Sequence, residues 1–225
     1  MNPTYTKLTQ YLGAFSVLHE LPADNVVPPA WQGLLKSPAP DRIRLVIALW
    51  EQQYPHEFST LLSVFRQHLV AVEVIAQATT CSLLYVFKNP RGEYLHYLGQ
   101  APLVAPQLPA TLSGFPWPNR FLPFYTQLHN GWYEVVSHAV GLLPLEEMLL
   151  LSEHEWGILE ELDLPSTFSL TNVLSVFSSG AGGYLCWDFN TAVPAGLVWW
   201  DDEAPDEVDF WDILDEWSAM GIQDY

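Results

Sequence analysis

Three short β-rich runs decide the fold predicted for this chain: NVLSVFS at residues 172–178, GYLCWDF at 183–189 and GLVWW at 196–200. Their valine, phenylalanine, tyrosine and tryptophan residues are the types enriched in strands. The glycine-rich segment 179–183 joins the first two runs and is predicted to form a tight turn. The sequence therefore predicts three consecutive strands in this part of the chain.

Helices are predicted on both sides of these strands. One is expected around residues 120–129, and it ends at Asn130 and Gly131 because both residues tolerate the left-handed conformation of a helix C-cap. Another is expected to span 144–151 and to continue beyond. The last helix is expected to start near Pro205, a favoured first-turn residue, followed by acidic residues that suit the helix dipole.

The beginning of the chain is also predicted to be helical. A short helix is expected at residues 5–18. Asp41 is predicted to be the N-cap of a helix that runs to about Tyr54. A third helix is expected after Pro55, because apolar residues then recur at helical offsets. These residues are Phe58, Leu61, Leu62, Phe65, Leu69 and Val72.

A hairpin follows, with strands expected at residues 81–87 and 93–98. A proline-rich joint at 102–109 comes next, and we place a domain boundary there. Residues 1–104 are predicted to be an extension of helices and a β-hairpin, and residues 105–225 the main domain. The fold class predicted is α+β, with a mixed or antiparallel sheet packed against helices.

The charge of the chain is concentrated in one half. Residues 1–120 hold all eight basic residues and seven acidic ones, whereas the 105 residues after Arg120 hold 19 acidic residues and no lysine or arginine. Such an imbalance repels itself in the folded state, so it indicates selection for an electropositive partner or for solubility. It disfavours nucleic acid and anionic membranes as direct partners.

Catalytic and metal-binding patterns are weak. The seven histidines are scattered, the two cysteines form no CxxC pair, and GxSxG is missing. Cys186 is predicted to be a buried structural thiol. We therefore predict no cofactor, no metal and no enzymatic activity. The short apolar runs, the cysteine usage and the start of the sequence predict a cytoplasmic protein.

The acidic cluster between residues 201 and 216 is the candidate site. An apolar helix stripe leaves Asp209 and Asp212 on the outer face, with Trp211 between the two faces. Trp199 and Trp200 alternate across a strand, so one of them is expected to point outward. An apolar anchor ringed by charge is typical of protein-binding surfaces. The predicted partner-binding residues are Asp188, Trp200, Asp201, Asp202, Glu203, Asp209, Trp211 and Asp212.

Several motifs occur together in the second half of the chain. They are Leu108-Pro109, Phe124-Tyr125, Asn130-Gly131-Trp132, Gly141-Leu142-Leu143-Pro144-Leu145-Glu146-Glu147 and Gly182-Gly183-Tyr184-Leu185-Cys186-Trp187-Asp188. In this order they resemble the SMI1/KNR4 (SUKH) superfamily over roughly residues 105–220. The stretched interval before Asn130 and the first 100 residues depart from the usual pattern. The resemblance implies an α+β fold without enzymatic activity.

The resemblance also implies a role. Bacterial members of the superfamily are typically similar to immunity proteins, which neutralise a toxin domain, and fungal members are regulators. The leading hypothesis is a cytosolic immunity protein that binds a cognate toxin domain with a basic surface. The alternatives are a scaffold or regulatory interaction module, and an enzyme that uses the carboxylates with a divalent metal. The sequence leaves the toxin and the oligomeric state open.

Overall fold

The computed structural model describes residues 5, 7–22, 27–78, 80–104, 108, 110, 112–156, 164, 166–200 and 203–224. The strands are β1 (Ser16–Val17), β2 (Leu69–Gln77), β3 (Thr80–Lys88), β4 (Tyr94–Gln100), β5 (Trp132–Glu134), β6 (Ala139–Leu142), β7 (Leu149–Leu150), β8 (Val173–Ser178), β9 (Gly183–Asp188), β10 (Ala195–Trp200) and β11 (Asp206–Val208). The α-helices are α1 (Thr9–Leu12), α2 (Gln32–Leu35), α3 (Ala39–Gln53), α4 (Ser59–His68), α5 (Phe121–Pro123) and α6 (Phe210–Gln223).

All the strands of the described residues belong to one antiparallel sheet. Its order is β1-β2-β3-β4-β5-β6-β8-β9-β10-β11, and β7 pairs with β8 beyond the end of β6. The chain is therefore an α+β protein, as the sequence predicts. Most neighbours in the sheet are also neighbours in sequence, which favours the simple up-and-down connections seen here.

The main core lies between one face of this sheet and three helices. Helix α3 packs on β2, α4 packs on β2 and β3, and α6 packs on β6, β9 and β10. Alternation along β3 shows that the other face is covered as well: Tyr85 belongs to the main core, whereas Leu84 and Val86 belong to a second cluster with Phe15. A third cluster around Trp199 covers the far end of that second face.

The sheet runs across the predicted domain boundary at residues 104 and 105. Strand β4 pairs with β5, with Leu98 opposite Tyr133. In the core, the ring of Trp50 lies 5.5 Å from the ring of Trp132, centroid to centroid. Residues on both sides of the boundary therefore share one sheet and one core. The division into an N-terminal extension at 1–104 and a main domain at 105–225 stays a prediction.

The predicted strands of the second half and the predicted hairpin are confirmed within one or two residues, as β8, β9 and β10, and as β3 and β4. The helix predicted at 120–129 is also present, as α5 followed by a π-helical segment, Phe124–Leu128. Gly131 follows with a φ of 84°, the left-handed conformation expected near this helix end.

The predicted helix starts in the first half need correction. Helix α3 begins at Ala39 after Pro38, so Asp41 lies in its first turn and is not the N-cap. Pro40 is tolerated in this turn because first-turn N–H groups have no partner within the helix. The apolar stripe after Pro55 also extends too far, since Leu69 and Val72 belong to β2. Of the helix predicted at 5–18, the described residues show a helical Tyr5 and α1, and β1 takes the place of its last turn.

Two predicted helices of the second half are wrong in a similar way. The segment after Pro144 is a 3₁₀ turn, Leu145–Glu147, followed by the short strand β7 and another 3₁₀ turn. The last helix does not start near Pro205, because β11 comes first and pairs with β10. Asp209 then caps α6 by accepting the backbone N–H groups of Trp211 and Asp212 at 3.0 and 3.1 Å.

Candidate functional site

A groove of about 580 Å³ opens beside the start of helix α6. Strand β9 contributes Asp188, strand β11 contributes Glu207, and the α6 cap contributes Asp209. The turn between β9 and β10 and the side chain of Trp211 also line the groove. We call this site the acidic groove. It brings together three of the predicted partner-binding residues: Asp188, Asp209 and Trp211.

Close backbone packing gives the acidic groove its shape. The ring of Trp187 on β9 stacks on Phe210, with centroids 3.9 Å apart and planes inclined by 17°. At Gly196 on β10, a Cβ atom would lie 2.6 Å from the carbonyl oxygen of Val208 and 2.8 Å from the nitrogen of Phe210. Only glycine leaves room for β11 and the start of α6 to approach β10 this closely.

Two carboxylates of the acidic groove, those of Asp188 and Asp209, accept hydrogen bonds from neutral groups. Asp188 accepts the backbone N–H of Asn190 at 2.8 Å and its side-chain N–H at 2.7 Å. Asp209 accepts only backbone N–H groups of α6, and the helix dipole favours its negative charge. Among the described residues neither carboxylate forms an ion pair. These bonds fix the side chains without neutralising their charge.

Trp211 is half-buried, in agreement with its predicted position between the two faces of the helix. Its ring lies 5.8 Å from that of Tyr54 and 6.0 Å from that of Phe58, edge-on to the latter. The guanidinium of Arg120 lies over the same Tyr54 ring and donates to the Glu57 carboxylate at 2.7 Å. The indole is therefore held in place by the first half of the chain, and the cation near it is paired.

Trp200 lies in a different groove, on the other flank of α6. This groove has a volume of about 450 Å³ and a mostly apolar lining. The prediction that Trp199 and Trp200 point to opposite faces is confirmed: Trp199 is fully buried in the third cluster, 5.3 Å from the ring of Trp156. Trp200 is half-buried and not exposed, because its ring packs 5.8 Å from that of Trp217.

Of the four remaining predicted residues, the structure describes two. Asp201 and Asp202 lie outside the described residues. Glu203 and Asp212 are exposed and line neither groove. Glu207, which the sequence placed inside the last helix, joins the site through β11. One sign of a strand was present in the sequence: Glu207 is followed by Val208, an apolar residue that packs against the core.

Both cysteines of the chain are buried. Cys186 is buried as predicted, and burial raises the pKa of its thiol far above the ordinary value. Burial likewise raises the pKa of Cys81 to about 11. Within the part of the chain that the structure describes, no three histidine, cysteine, aspartate or glutamate side chains come together to hold a metal ion. Nor does any helix of that part have the length and apolar character needed to cross a membrane.

Two of the sequence motifs contact each other. Asn130 accepts the backbone N–H of Leu145 at 3.0 Å and donates to the Glu146 carboxylate at 2.8 Å. A Cβ atom at Gly131 would lie 2.6 Å from the nitrogen of Pro144.

No protein-family model matches the chain, and no curated protein or solved structure is significantly similar to it.

Proposed function

We propose that this chain is a non-enzymatic, protein-binding module whose acidic groove docks on a basic polypeptide. The observation that carries the proposal is the groove itself: Asp188, Glu207 and Asp209 converge beside an ordered, half-buried Trp211. The second half of the sequence offers no lysine or arginine to neutralise them. A groove of this kind attracts cations and repels phosphate groups and anionic lipids.

The two components of the groove serve different steps of binding. Exposed carboxylates steer a basic partner and raise the association rate by roughly 10- to 1000-fold at low salt. Trp211 is already packed on Tyr54 and Phe58, so docking against it costs little side-chain entropy. The arrangement therefore combines fast encounter with a preorganised apolar contact.

The partner that we propose is a toxin domain, and the chain is its immunity protein, present in the cytoplasm. This part of the proposal comes from the resemblance to the SMI1/KNR4 superfamily. The contacts of Asn130 and Gly131 with residues 144–146 support the resemblance, since they give the spacing of the two motifs a structural reason. Toxins that act on nucleic acid need basic clefts, and carboxylates would occupy phosphate positions in such a cleft.

Co-expression with the product of the neighbouring reading frame tests the proposal. We expect a stoichiometric complex by calorimetry and protection of the cells from that product. Replacing Asp188, Glu207 and Asp209, which line the acidic groove, with asparagine, glutamine and asparagine should abolish both, and each amide keeps an acceptor oxygen for the local hydrogen bonds. The matched control changes Glu20, Glu153 and Glu155 to glutamine. These are exposed acidic residues outside the acidic groove, and their replacement alters net charge equally.

Two results would change the conclusion. If the groove variant binds as tightly as the control, the acidic groove is not the docking site. If the complex forms but gives no protection, the regulatory alternative replaces the immunity function.

A further inference from the structure

The apolar groove around Trp200 lies outside the acidic groove. Its lining comes from β6, the end of β8, the turn after β8, the end of β10 and helix α6. The described residues that line it are Val140, Phe177, Ser179, Ala181, Trp200, Trp217, Met220, Gly221 and Asp224. Its volume of about 450 Å³ lies in the range of binding pockets and accommodates one large side chain.

The floor of this apolar groove is fixed by packing. Trp217 lies 5.8 Å from both Trp200 and Phe177, centroid to centroid. Gly183 allows the Trp200 ring to lie flat on the strand, since a Cβ atom there would come within 2.5 Å of the ring. The Trp200 ring therefore packs on Trp217 and over Gly183, and the groove beside the two rings remains open.

One end of the apolar groove is formed by an unusual residue. Val140 has a φ of 53°, a left-handed conformation that is rare and unfavourable for a β-branched residue. Its side chain packs against Gly221, where a Cβ atom would lie 1.9 Å from the valine Cγ1. Strand β6 and helix α6 therefore pack closely where they line the apolar groove.

The surface next to the apolar groove is acidic. Along the outer ridge of α6, Asp212, Glu216 and Met220 are all exposed and follow each other at intervals of four residues. Met220 is 53% exposed and lines the groove, and Asp224 lines it one turn later. A segment lying along this ridge would meet two carboxylates, then an apolar opening, then a third carboxylate.

We infer that the apolar groove binds a large apolar side chain of the partner, flanked by lysine or arginine residues. The charge pattern of the ridge selects for this occupant, because carboxylates stand before and after the opening. The inference rests on the proposed function in that the partner is a basic polypeptide. The inference adds a second contact, on the other flank of α6. This contact would favour a partner that carries a large apolar side chain between basic residues over a partner that carries basic residues alone.

Two synthetic peptides, KKGFGKK and KKGAGKK, test the inference. Binding to the whole chain is followed by the indole N–H resonances of Trp200 and Trp217 in nuclear magnetic resonance spectra. Trp→Phe variants of each residue assign these signals. We expect the phenylalanine peptide to shift both indole signals and to bind at least fivefold more tightly than the alanine peptide.

The variant Ala181→Trp fills the apolar groove without changing the charge. It should abolish the indole shifts caused by the phenylalanine peptide. The matched control is Ala30→Trp, which changes an exposed alanine in the first half of the chain. Met220→Gln, which removes the apolar rim and keeps the helix, should weaken binding in the same direction if Ala181→Trp disturbs folding.

Each other outcome overturns the inference. If both peptides bind equally and shift only amides of the acidic groove, the apolar groove is not used and the proposed function stands. If neither peptide binds, both proposals fail. If sedimentation shows a dimer that Ala181→Trp dissociates, a second copy of the chain is the occupant.

Discussion

The carboxylate of Asp215, on helix α6, accepts the backbone N–H of Leu61 at 2.7 Å and thereby caps helix α4. It also accepts the N–H of Thr60 at 2.8 Å, and the side chain is buried. An N-terminal cap of this kind normally comes from the residue that precedes the helix. Here it comes from 154 residues further along the chain, so α4 and α6 stabilise each other.

Replacing Asp215 with alanine should lower the free energy of unfolding by about 1–3 kcal/mol, because two buried N–H groups lose their acceptor. Asp215→Asn, which keeps one acceptor oxygen, should cost less. Urea unfolding measures the difference. Asp212→Ala is the control, since this exposed residue on the same helix should change stability by no more than about 0.5 kcal/mol. Equal losses at the two positions would contradict the capping role.

His129 should make the fold sensitive to acid. Its Nε2 atom lies 2.6 Å from the Tyr85 hydroxyl, which in turn accepts the indole N–H of Trp50 at 3.0 Å. Burial lowers the pKa of His129 to about 3, so the folded protein keeps the ring neutral. Above pH 6.5 both folded and unfolded chains hold it neutral, and it contributes nothing to the pH dependence. Below pH 6.5 only the unfolded chain takes up the proton, so stability falls.

Between pH 6.5 and pH 5 this loss should amount to about 2 kcal/mol. The measurement is the free energy of unfolding at both pH values for the natural chain and for His129→Gln. Burial also lowers the pKa of His96, so the natural chain contains a second contribution of the same sign. The difference between the two chains isolates His129. An identical pH dependence in both would rule out its titration.

Gly196→Ala should disturb the acidic groove. The added Cβ atom would meet backbone atoms of Val208 and Phe210, which cannot rotate away. We expect a loss of about 1–3 kcal/mol in the free energy of unfolding, with the largest amide chemical-shift changes in β11 and the start of α6. Gly33→Ala serves as the control because a Cβ atom there meets nothing within 4 Å. This helical substitution should leave stability unchanged or raise it slightly.

Association with the basic partner should depend strongly on salt. Exposed charges are screened over about 10 Å at 0.1 M and over about 3 Å at 1 M ionic strength. Stopped-flow measurements should show the association rate falling by at least tenfold over this range, while the dissociation rate changes much less. The variant with Asp188→Asn, Glu207→Gln and Asp209→Asn should lose most of this dependence. A natural chain whose association rate ignores salt would contradict electrostatic steering.

The strands of the second half and the first hairpin were predictable because each combines strand-forming residues with a clear turn. Strand β2 was not, because its apolar residues continue the helical stripe of α4 and both of its faces contact apolar clusters. A strand covered on both faces loses the alternation that marks it in sequence. The helix predicted after Pro144 failed because pairing of β7 with β8 overrides local helix propensity.

The candidate site was predictable in part. Charge and helical spacing identified Asp209 and Trp211, and the structure brings Asp188 beside them. Sequence spacing could not show that α6 separates Trp200 from this groove, since that depends on where the helix packs on the sheet. Asp215 belongs to the same acidic cluster in the sequence, yet its carboxylate is buried against the neighbouring helix α4. Tertiary packing decides which carboxylates remain available.

The pairing of β4 with β5 has a practical consequence for the expression of truncated fragments of this protein. In a recombinant fragment that starts at residue 105, β5 would become an unpaired edge strand, and Trp132 would lose its contact with Trp50. An unpaired edge strand can pair with strands of other molecules, so such a fragment should precipitate or form intermolecular β-structure. Binding work on either groove therefore requires the uncut polypeptide.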